Sequence, residues 1–365
     1  MLNKFDARLK KISIIGSVGV PANYGGWETL VQHLCIELKD KASLTVYCSS
    51  LRYQERLMEF EGAKLVYIPI DANGISSIPY DILSMIHSAR KADLQIILGV
   101  SGTIFLPILK LISKGRIVIN IDGLEWRREK WGKYTKWFLK FSERMAVKWA
   151  DAIITDNAAL QRYVEKEYNC NSLLIPYGAD HVSPRTLETS TQSLYPFLNK
   201  PYAFKVARIE PENNIDMILK SFSDQTDLPL VLVGNWDSSA YGREIKSRYR
   251  SKKSLFLLDA IYDQNILDQI RSNCKIYIHG HSAGGTNPSL VEAMSLKLPI
   301  LAYDVSFNRE TTENEAFYFN SIENLQELFS KLSDQELKIC SEKMTSIANR
   351  RYKWSIISNQ YFELV

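Results

Sequence analysis

The chain has 365 residues, which is too long for one ordinary hydrophobic core, so we expect two domains. Hydrophobic residues make up 45% of it and charged residues 24%, as in a soluble globular protein. The net charge of +4 is too small to indicate nucleic-acid binding, and we expect no nucleic-acid partner.

The cysteines and the apolar segments bear on the cellular compartment. Five cysteines are scattered along the chain without a C-x-x-C pair, which favours reduced thiols over a disulfide framework or a zinc site. The N-terminus lacks an apolar stretch long enough for a signal peptide. No run approaches the roughly 18 to 20 apolar residues of a membrane span. We therefore expect a cytoplasmic protein.

The first half of the chain alternates apolar strands with helices. The strand "KISII" enters the loop "GSVGVPANYGG" and the helix "WETLVQHLCIELKD". Further strands are predicted at "SLTVYCS", "KLVYIPI", "LQIILGV", "RIVINI", "DAIITD" and "SLLIPYG", with helical stretches at Ile82 to Lys91, around Leu106 to Ile112 and before "DAIITD". This alternation predicts βαβ units and a mostly parallel sheet.

The same alternation restarts at Tyr202 with "YAFKVARI" and continues through "PLVLVGN", "SLFLLDA", "CKIYIHG", "LPILAYD" and "AFYFN". Residues 182–199 are polar and rich in Ser, Thr and Pro, which predicts a linker. The predicted fold is therefore α/β: two Rossmann-like domains, 1–181 and 200–340, whose parallel sheets face each other across a cleft. Residues 341–365 are expected to form a C-terminal helix that returns to the first domain. The loops after Ile15, Ile121, Ile209 and His279 would face the cleft.

A glycine-rich stretch late in the chain, "IHGHSAGGTNPSLVEAM", indicates a strand, a loop and a helix start. Asn287 is a good N-cap, and Pro288 suits the first helical position. Free backbone amides and the helix dipole would then favour an anion, most often a phosphate. The alternative is an ordinary βα turn with a well-made cap.

Several phrases resemble the family 4 retaining glycosyltransferases of the GT-B fold over nearly the whole chain. They are "GVPANYGGWETLVQHL", "LIPYGAD", "VARIEPENNIDMIL" and "GTNPSLVEAM", the last being similar to the second half of that family's E-x7-E motif. The phrases "GVPA-x-YGG", "DGLEW", "PENN" and "HGHS-x-GGTNPSL-x-EAM" are similar to bacterial rhamnosyltransferases of capsule and rhamnose-rich wall polysaccharide assembly. The resemblance implies an acceptor-side first domain and a second domain that binds a nucleotide sugar.

The sequence departs from the general family pattern at three positions. Gly284 stands where the first Glu of E-x7-E would be, Asn213 where a Lys follows the phosphate-loop Arg, and Asp122 where a His is usual. Gly284 and Asn213 agree with the rhamnosyltransferase-like subgroup. They remove contacts that the wider family makes with the hexose and the diphosphate.

A pyrophosphate clamp without a metal is predicted around Arg208. Its guanidinium can contact phosphate oxygens with two parallel hydrogen bonds, and the amides around Gly285 to Ser289 can add a helix N-terminus. Without the resemblance, Arg208 would be interpreted as a surface arginine at a strand end. His279 and His281 lack a supporting carboxylate or Cys cluster, so we expect neither a metal nor any other cofactor beyond the donor.

Glu292 and Asp122 are the two carboxylates assigned to catalysis beside Arg208. The resemblance implies that Glu292 accepts hydrogen bonds from the donor ribose or deoxyribose, whereas in isolation a helix-surface Glu is the commoner interpretation. Asp122 would hydrogen-bond the transferred sugar or act as a general base, or it caps a turn as "DG" does well. A 6-deoxy sugar would not need the family's usual His at this position.

The full set of predicted donor-binding residues spans both domains. Gly25 and Gly26 would let the first loop approach the reaction centre, and Glu28 would complement the helix dipole that follows. Asp259 and Tyr262 would contact the nucleobase. The complete set is Gly25, Gly26, Arg208, Asn213, Asp259, Tyr262, His281, Gly285, Thr286, Asn287, Ser289 and Glu292.

The stretch from Trp126 to Trp149 holds four of the seven tryptophans and eight Lys/Arg against two Glu. Aromatic residues recur on one helix face, and lysines flank them. We predict contact with an anionic membrane surface through Trp131, Lys133, Lys136, Trp137 and Lys140. The alternative is that the aromatic face packs inward and the lysines are merely solvated.

The predicted function is transfer of a sugar, expected to be L-rhamnose from dTDP-rhamnose, to a lipid-diphosphate-linked saccharide in bacterial surface polysaccharide synthesis. The enzyme would be peripheral on the inner face of the cell membrane. Two alternatives remain: a sugar-nucleotide epimerase or hydrolase on the same scaffold, and a non-catalytic nucleotide-sugar-binding protein.

Overall fold

The computed structural model describes residues 9–22, 25–121, 123–128, 131–223 and 228–365. The chain forms two compact units. The first comprises Met1–Tyr177 and Trp354–Val365, and the second comprises Gly178–Lys353.

The first unit contains an eight-stranded sheet in the order β3-β4-β2-β1-β5-β6-β7-β8. Its strands are β1 Lys10–Ile15, β2 Ala42–Ser49, β3 Glu59–Phe60, β4 Ala63–Ile68, β5 Leu94–Leu98, β6 Arg116–Ile121, β7 Ala152–Thr155 and β8 Leu173–Leu174. All pairs of adjacent strands are parallel except β3 with β4, which is antiparallel. Every residue of β5 is buried, as expected for a central strand covered on both faces.

The second unit contains a parallel six-stranded sheet in the order β11-β10-β9-β12-β13-β14. Its strands are β9 Ala203–Val206, β10 Leu230–Val233, β11 Leu255–Leu258, β12 Ile276–His279, β13 Ile300–Tyr303 and β14 Phe317–Phe319. Side chains such as Phe222, Trp236 and Ile278 fill the core beside this sheet. The α/β fold with two parallel-sheet domains predicted from the sequence is confirmed.

Helices alternate with these strands. In chain order they are α1 Gly26–Leu38, α2 Ser77–Ser88, α3 Leu106–Ile112, α4 Lys133–Trp149, α5 Ala158–Tyr168, α6 Thr189–Leu194, α7 Ile215–Phe222, α8 Ala240–Tyr249, α9 Gln264–Ser272, α10 Pro288–Ser295, α11 Ser306–Thr311, α12 Ile322–Lys331, α13 Asp334–Arg351 and α14 Trp354–Phe362. Within the described ranges, no helix is both long and apolar enough to cross a bilayer.

The antiparallel strand β3 was not predicted from the sequence. Glu61 and Gly62 connect it to β4, and both have positive φ values, 46° and 77°. Two left-handed residues in succession form the tight turn that suits a hairpin. The pair is too short to give a periodic pattern in the sequence.

The structure differs from the predicted boundaries around 182–199. This segment lies within the second unit and contains α6 and a 3₁₀ turn at Pro196–Asn199. The amide of Glu188 donates to Gln269 Oε1 at 3.0 Å, and Phe197 stacks on Phe256 with ring centroids 4.1 Å apart. The segment therefore packs against α9 and β11 at the surface of the second unit, and its polar composition does not indicate an unpacked linker.

The C-terminal boundary also differs from the prediction. Residues 341–365 do not form one helix, because α13 ends at Arg351 in the second unit and α14 begins at Trp354 in the first. In the first unit α14 packs on α1, where Trp354 stacks on His33 with centroids 4.4 Å apart.

Candidate functional site

Two loops meet at the carboxyl edge of the second sheet. β9 and β12 are adjacent and parallel, so the loops that follow them lie side by side. Ser282 donates from its amide and its hydroxyl to the carbonyl of Glu212, each at 2.9 Å. Asn214 donates from Nδ2 to the carbonyl of Gly280 at 2.8 Å. The loop after β9 and the loop after β12 therefore form one continuous surface.

Asn213 joins the same two loops through its side chain. It is buried, its Nδ2 donates to the carbonyl of Arg208 at 2.9 Å, and its Oδ1 lies 2.9 Å from Nδ1 of His281. The sequence predicts direct donor contact for Asn213 and His281. In the structure its amide holds the backbone of Arg208 and the ring of His281 in place, and direct donor contact by Asn213 and His281 stays a prediction.

Arg208 extends from the end of β9 into solvent. Its side chain is 45% exposed, and Nε lies 3.8 Å from Oε2 of Glu210. Asn213 fixes the backbone of Arg208, and the contact of its guanidinium with Glu210 is weak. The guanidinium can therefore turn toward an anion. This geometry suits the phosphate contact predicted for it.

The loop after β12 leads into α10 as the sequence predicts. Asn287 caps the helix: its Oδ1 accepts from the amide of Ser289 at 3.1 Å and from the Ser289 hydroxyl at 2.7 Å. The cap therefore occupies the Ser289 amide that the sequence assigns to phosphate. The anion contact predicted for this loop stays a prediction, and the preceding residues Gly285 and Thr286 are half-buried and buried, respectively.

The backbone conformation at Gly284 explains why this position does not carry the Glu that begins the E-x7-E pattern. Its φ is +108°, where side chains are rarely accommodated, and a Cβ would lie 3.3 Å from Nε2 of His281. The backbone conformation thus requires glycine at this position.

Glu292 lies in a charged network that the sequence analysis missed. Its Oε2 accepts from Nη1 of Arg271 at 2.6 Å, and its Oε1 lies 3.3 Å from Nε2 of His181. Arg271 is buried and also donates from Nε to Oδ1 of Asp268 at 2.8 Å. Burial raises the pKa of Glu292, but Arg271 and His181 outweigh burial and lower it to about 2.

A carboxyl group with so low a pKa is ionised at neutral pH and is a poor proton acceptor. Glu292 is therefore suited to accept hydrogen bonds from hydroxyl groups and not to transfer protons. The spacing of Asp268 and Arg271 along α9 was visible in the sequence, but their distance from Glu292 along the chain gave no sign of this network.

Asp259 and Tyr262 follow β11 at the same edge of the sheet, two strands away from β9. Asp259 is exposed and pairs with Lys246 at 2.7 Å, and Tyr262 is exposed as well. Both are placed where they could meet a ligand that extends along this edge.

The sequence also matches known families. Residues 188–354 match the family described as glycosyl transferases group 1. The protein is a glycosyltransferase. Residues 9–180 match a second family, described as a domain of unknown function (DUF1972).

Solved structures with the GT-B fold align with almost the whole glycosyltransferase. Sucrose-phosphate synthase (tll1590) from Thermosynechococcus elongatus has a TM-score of 0.81 at 14% identity, covering 97% of this chain and 98% of its own. Anabaena Alr3699/HepE in complex with UDP-glucose has a TM-score of 0.76 at 15% identity, covering 98% and 99%. Trehalose-6-phosphate synthase OtsA has a TM-score of 0.70 at 10% identity, covering 97% and 98%. At these identities the likeness shows the fold alone.

In the first unit of the glycosyltransferase, the glycine loop before α1 is held by Glu28. Gly25 has a φ of +137°, and a Cβ there would lie 2.0 Å from Oε2 of Glu28. Oε1 of Glu28 accepts from the amide of Val18 at 2.8 Å, and burial raises the pKa of this carboxyl. Glu28 therefore fixes the loop after β1, a role beyond the dipole interaction that the sequence predicts. Gly26 is the first residue of α1.

Asp122 lies outside the described residues, so its predicted role in catalysis stays a prediction. Among the residues that the structure describes, no three His, Cys, Asp or Glu side chains are grouped so as to hold a metal ion.

Lys140, predicted to contact a membrane, faces the protein instead. It pairs with Glu143 at 3.3 Å and Glu167 at 2.9 Å, and it donates to the hydroxyl of Tyr163. Its ammonium also lies 4.8 Å from the ring centroids of Trp126 and Tyr168. Glu143 on α4 is buried, so the helix needs Lys140 as its internal counter-charge.

Other residues of α4 remain exposed. Trp137 is 69% exposed and Tyr134 92%, and Trp137 stacks on the exposed ring of Phe141 with centroids 5.8 Å apart. The helix α3, which packs against α4, also carries exposed apolar side chains at Ile108 and Leu111. We call these five residues the α3–α4 surface. Lys133 beside it is exposed, whereas Lys136 and Trp131 are half-buried.

Proposed function

We propose that the enzyme takes its sugar from a nucleotide-sugar donor that binds to the loop after β9 and the loop after β12. The observation that carries this proposal is the position of Arg208, exposed on one loop and joined through Asn213 to the other. A structural neighbour over almost the full chain, HepE, was solved in complex with UDP-glucose and with UDP. This supports a nucleoside diphosphate as the leaving group.

Transfer builds negative charge on the leaving diphosphate as the glycosidic bond breaks. Arg208 would stabilise that charge, because a guanidinium forms strong hydrogen bonds to phosphate oxygens and its contact strengthens as the charge develops. No metal is needed in this proposal.

The proposed reaction proceeds with retention. The acceptor hydroxyl attacks the anomeric carbon on the face from which the diphosphate departs. A new bond forms to the acceptor oxygen, the bond to the phosphate oxygen breaks, and the hydroxyl proton passes to the departing phosphate. Glu292, held as a carboxylate by Arg271 and His181, would accept hydrogen bonds from the ribose or deoxyribose of the donor.

The sugar in this proposal is L-rhamnose, delivered from dTDP-rhamnose to a lipid-diphosphate-linked saccharide of a bacterial surface polysaccharide. The phrases "DGLEW" and "HGHSAGGTNPSLVEAM" support it, as does Asp122 in place of the family's His, which a sugar without a 6-hydroxyl would not require. Asp122 would hydrogen-bond the transferred sugar, because the acceptor proton passes to the departing phosphate in this mechanism.

The enzyme would work at the inner face of the cell membrane, because an acceptor with a lipid tail cannot leave the bilayer. The α3–α4 surface, with exposed Trp137 and Tyr134 and the neighbouring Lys133, supports this location.

A donor panel tests the proposal. The protein is incubated with dTDP-rhamnose, UDP-glucose, UDP-galactose, UDP-GlcNAc or GDP-mannose, with and without a lipid-linked hexose diphosphate, and products are identified by mass. Rhamnosyl product that requires both substrates supports it. Donor turnover without acceptor would instead indicate an epimerase or hydrolase, and binding without turnover would indicate a non-catalytic protein.

A further inference from the structure

A lysine lies beneath the two loops of the donor site. Lys205 is the third residue of β9 and is only 1% exposed. A Cβ at Gly280, the first residue after β12, would lie 3.1 Å from Nζ of Lys205 and 2.3 Å from the carbonyl oxygen of Asn213. The ammonium group therefore sits against the place where the loop after β9 meets the loop after β12.

No carboxylate among the described residues pairs with Lys205. None of the hydrogen bonds or ion pairs formed among the described ranges involves its Nζ. An unpaired ammonium inside a protein is costly, and burial lowers the pKa of Lys205 to about 7. Replacing it with an apolar residue would remove that cost, so packing alone gives no reason for a lysine here.

The titratable groups on the surrounding elements do not supply the missing anion. His279 on β12 is buried, and burial together with Lys205 and His281 lowers its pKa. On α7, Asp216 pairs with Arg248 at 2.9 Å. The remaining charged side chains on these elements are Arg208, Glu210, Glu212 and Lys220, of which Glu210 lies 3.8 Å from Arg208. β10, which also neighbours β9, is wholly apolar.

We propose that Lys205 is an internal cation of the donor site, and that its ammonium stabilises the donor diphosphate through the loop backbone without touching it. This inference rests on the proposed function, because the diphosphate is the anion that would complete the pair. Charges interact strongly across a buried, low-dielectric layer of backbone.

The proposal makes donor binding sensitive to pH. A bound diphosphate favours the charged amine and so raises the pKa of Lys205. Affinity should be highest below pH 7, where the amine is already protonated, and should fall as pH rises above 7. At pH 8 the protein should take up protons when it binds dTDP-rhamnose or UDP-glucose, whose diphosphates do not titrate in this range.

The substitution Lys205→Met, which keeps the length and removes the charge, tests the proposal together with the control Lys220→Met at an exposed position. Titration calorimetry in buffers of different protonation enthalpy gives the affinity and the proton uptake at pH 6 and pH 8. Lys205→Met should bind the donor about tenfold or more weakly at pH 6 and lose the uptake at pH 8. Its melting temperature without donor should equal or exceed that of the wild type. Lys220→Met should behave as the wild type.

The wild-type protein alone can overturn the inference, even if Lys205→Met fails to fold. Tight donor binding without proton uptake at pH 8 would contradict it, as would unchanged affinity in a folded Lys205→Met protein. A destabilised Lys205→Met protein with normal donor affinity would show a structural role and overturn it too. If the wild type binds no nucleotide sugar at either pH, the proposed function fails first, and the inference fails with it.

Discussion

Arg271 donates a 2.6 Å hydrogen bond from Nη1 to Oε2 of Glu292, although the two residues lie on different helices, α9 and α10. Arg271 also holds Asp268, and His181 lies at the other carboxylate oxygen of Glu292. A carboxylate fixed on both sides presents its remaining lone pairs in set directions. A hydrogen-bond acceptor for a sugar hydroxyl needs this kind of preorganisation.

The first prediction concerns the pH dependence of stability through Glu292. Its pKa is about 2 in the folded protein, below the ordinary value of 4.5, so the stability it contributes is complete above pH 4.5 and is lost as pH falls toward 2. Urea unfolding of the wild type and Glu292→Gln at pH 7 and pH 3 measures this. The wild type should lose more stability over that range than the variant, by on the order of 2 kcal/mol. Equal losses would contradict the ion pair.

The second prediction concerns removal of the arginine. Arg271→Met leaves Glu292 and Asp268 without their buried counter-charge and should lower the free energy of unfolding by about 3 kcal/mol. Arg248→Met, which removes an arginine from exposed pairs with Asp216 and Glu244, should cost less than about 1 kcal/mol. Chemical denaturation of both variants checks the contrast, and similar losses in the two would refute it.

The third prediction concerns Arg208. Its side chain is largely exposed and has only a 3.8 Å contact with Glu210, so Arg208→Ala should fold with normal stability. It should lose about 3 kcal/mol of transition-state stabilisation, on the order of a hundredfold in kcat/KM. Steady-state kinetics with Arg248→Ala as the control measures this. A variant with near-wild-type kcat/KM would remove Arg208 from the phosphate site.

The sequence predicted those features of the site that local chemistry determines. The cap of α10 by Asn287 follows from "TNPS", and the alternation of strands and helices follows from apolar periodicity. The partners of Glu292 could not be predicted, because Arg271 and His181 are distant along the chain and meet it only through the fold. Lys140 shows the same limit: helical periodicity placed it beside an aromatic face, but Glu167 and Tyr163, which hold it, belong to α5. Lys205 did leave a signal, since a charge inside the apolar strand "YAFKVA" is unusual.

The fourth prediction concerns Gly284. Its φ of +108° disfavours any side chain, so Gly284→Ala should lower the free energy of unfolding by about 1 kcal/mol or more. Gly284→Glu would restore the first Glu of E-x7-E but should weaken donor binding, because the side chain would crowd His281. Gly132→Ala is the matched control, since open space surrounds that glycine and its φ is −68°. Denaturation and donor titration give both quantities; tighter donor binding by Gly284→Glu would show that the loop tolerates the side chain.

The last prediction concerns the α3–α4 surface. Trp137, Tyr134 and Leu111 are exposed side chains of this surface. Lys133 and Lys136 can reach anionic headgroups beside them. Lys140 forms ion pairs with Glu143 and Glu167 instead. Each basic residue near an anionic surface contributes about 1 kcal/mol, and tryptophan favours the headgroup region. In liposome flotation, the wild type should bind anionic vesicles and release them as salt rises.

Lys133→Glu with Lys136→Glu should abolish this binding, and Trp137→Ser should weaken it, while both proteins keep their activity on a short, water-soluble acceptor. The control Lys253→Glu with Lys338→Glu makes the same change in net charge at exposed positions of the second unit and should leave flotation unchanged. Lys140→Glu should instead unfold the region around α4 and α5, because it places a second carboxylate beside buried Glu143. Membrane binding that survives the Lys133 and Lys136 reversals, or that the control pair abolishes equally, would assign the contact to another surface. A wild type that ignores anionic vesicles at low salt would remove the membrane from the proposal.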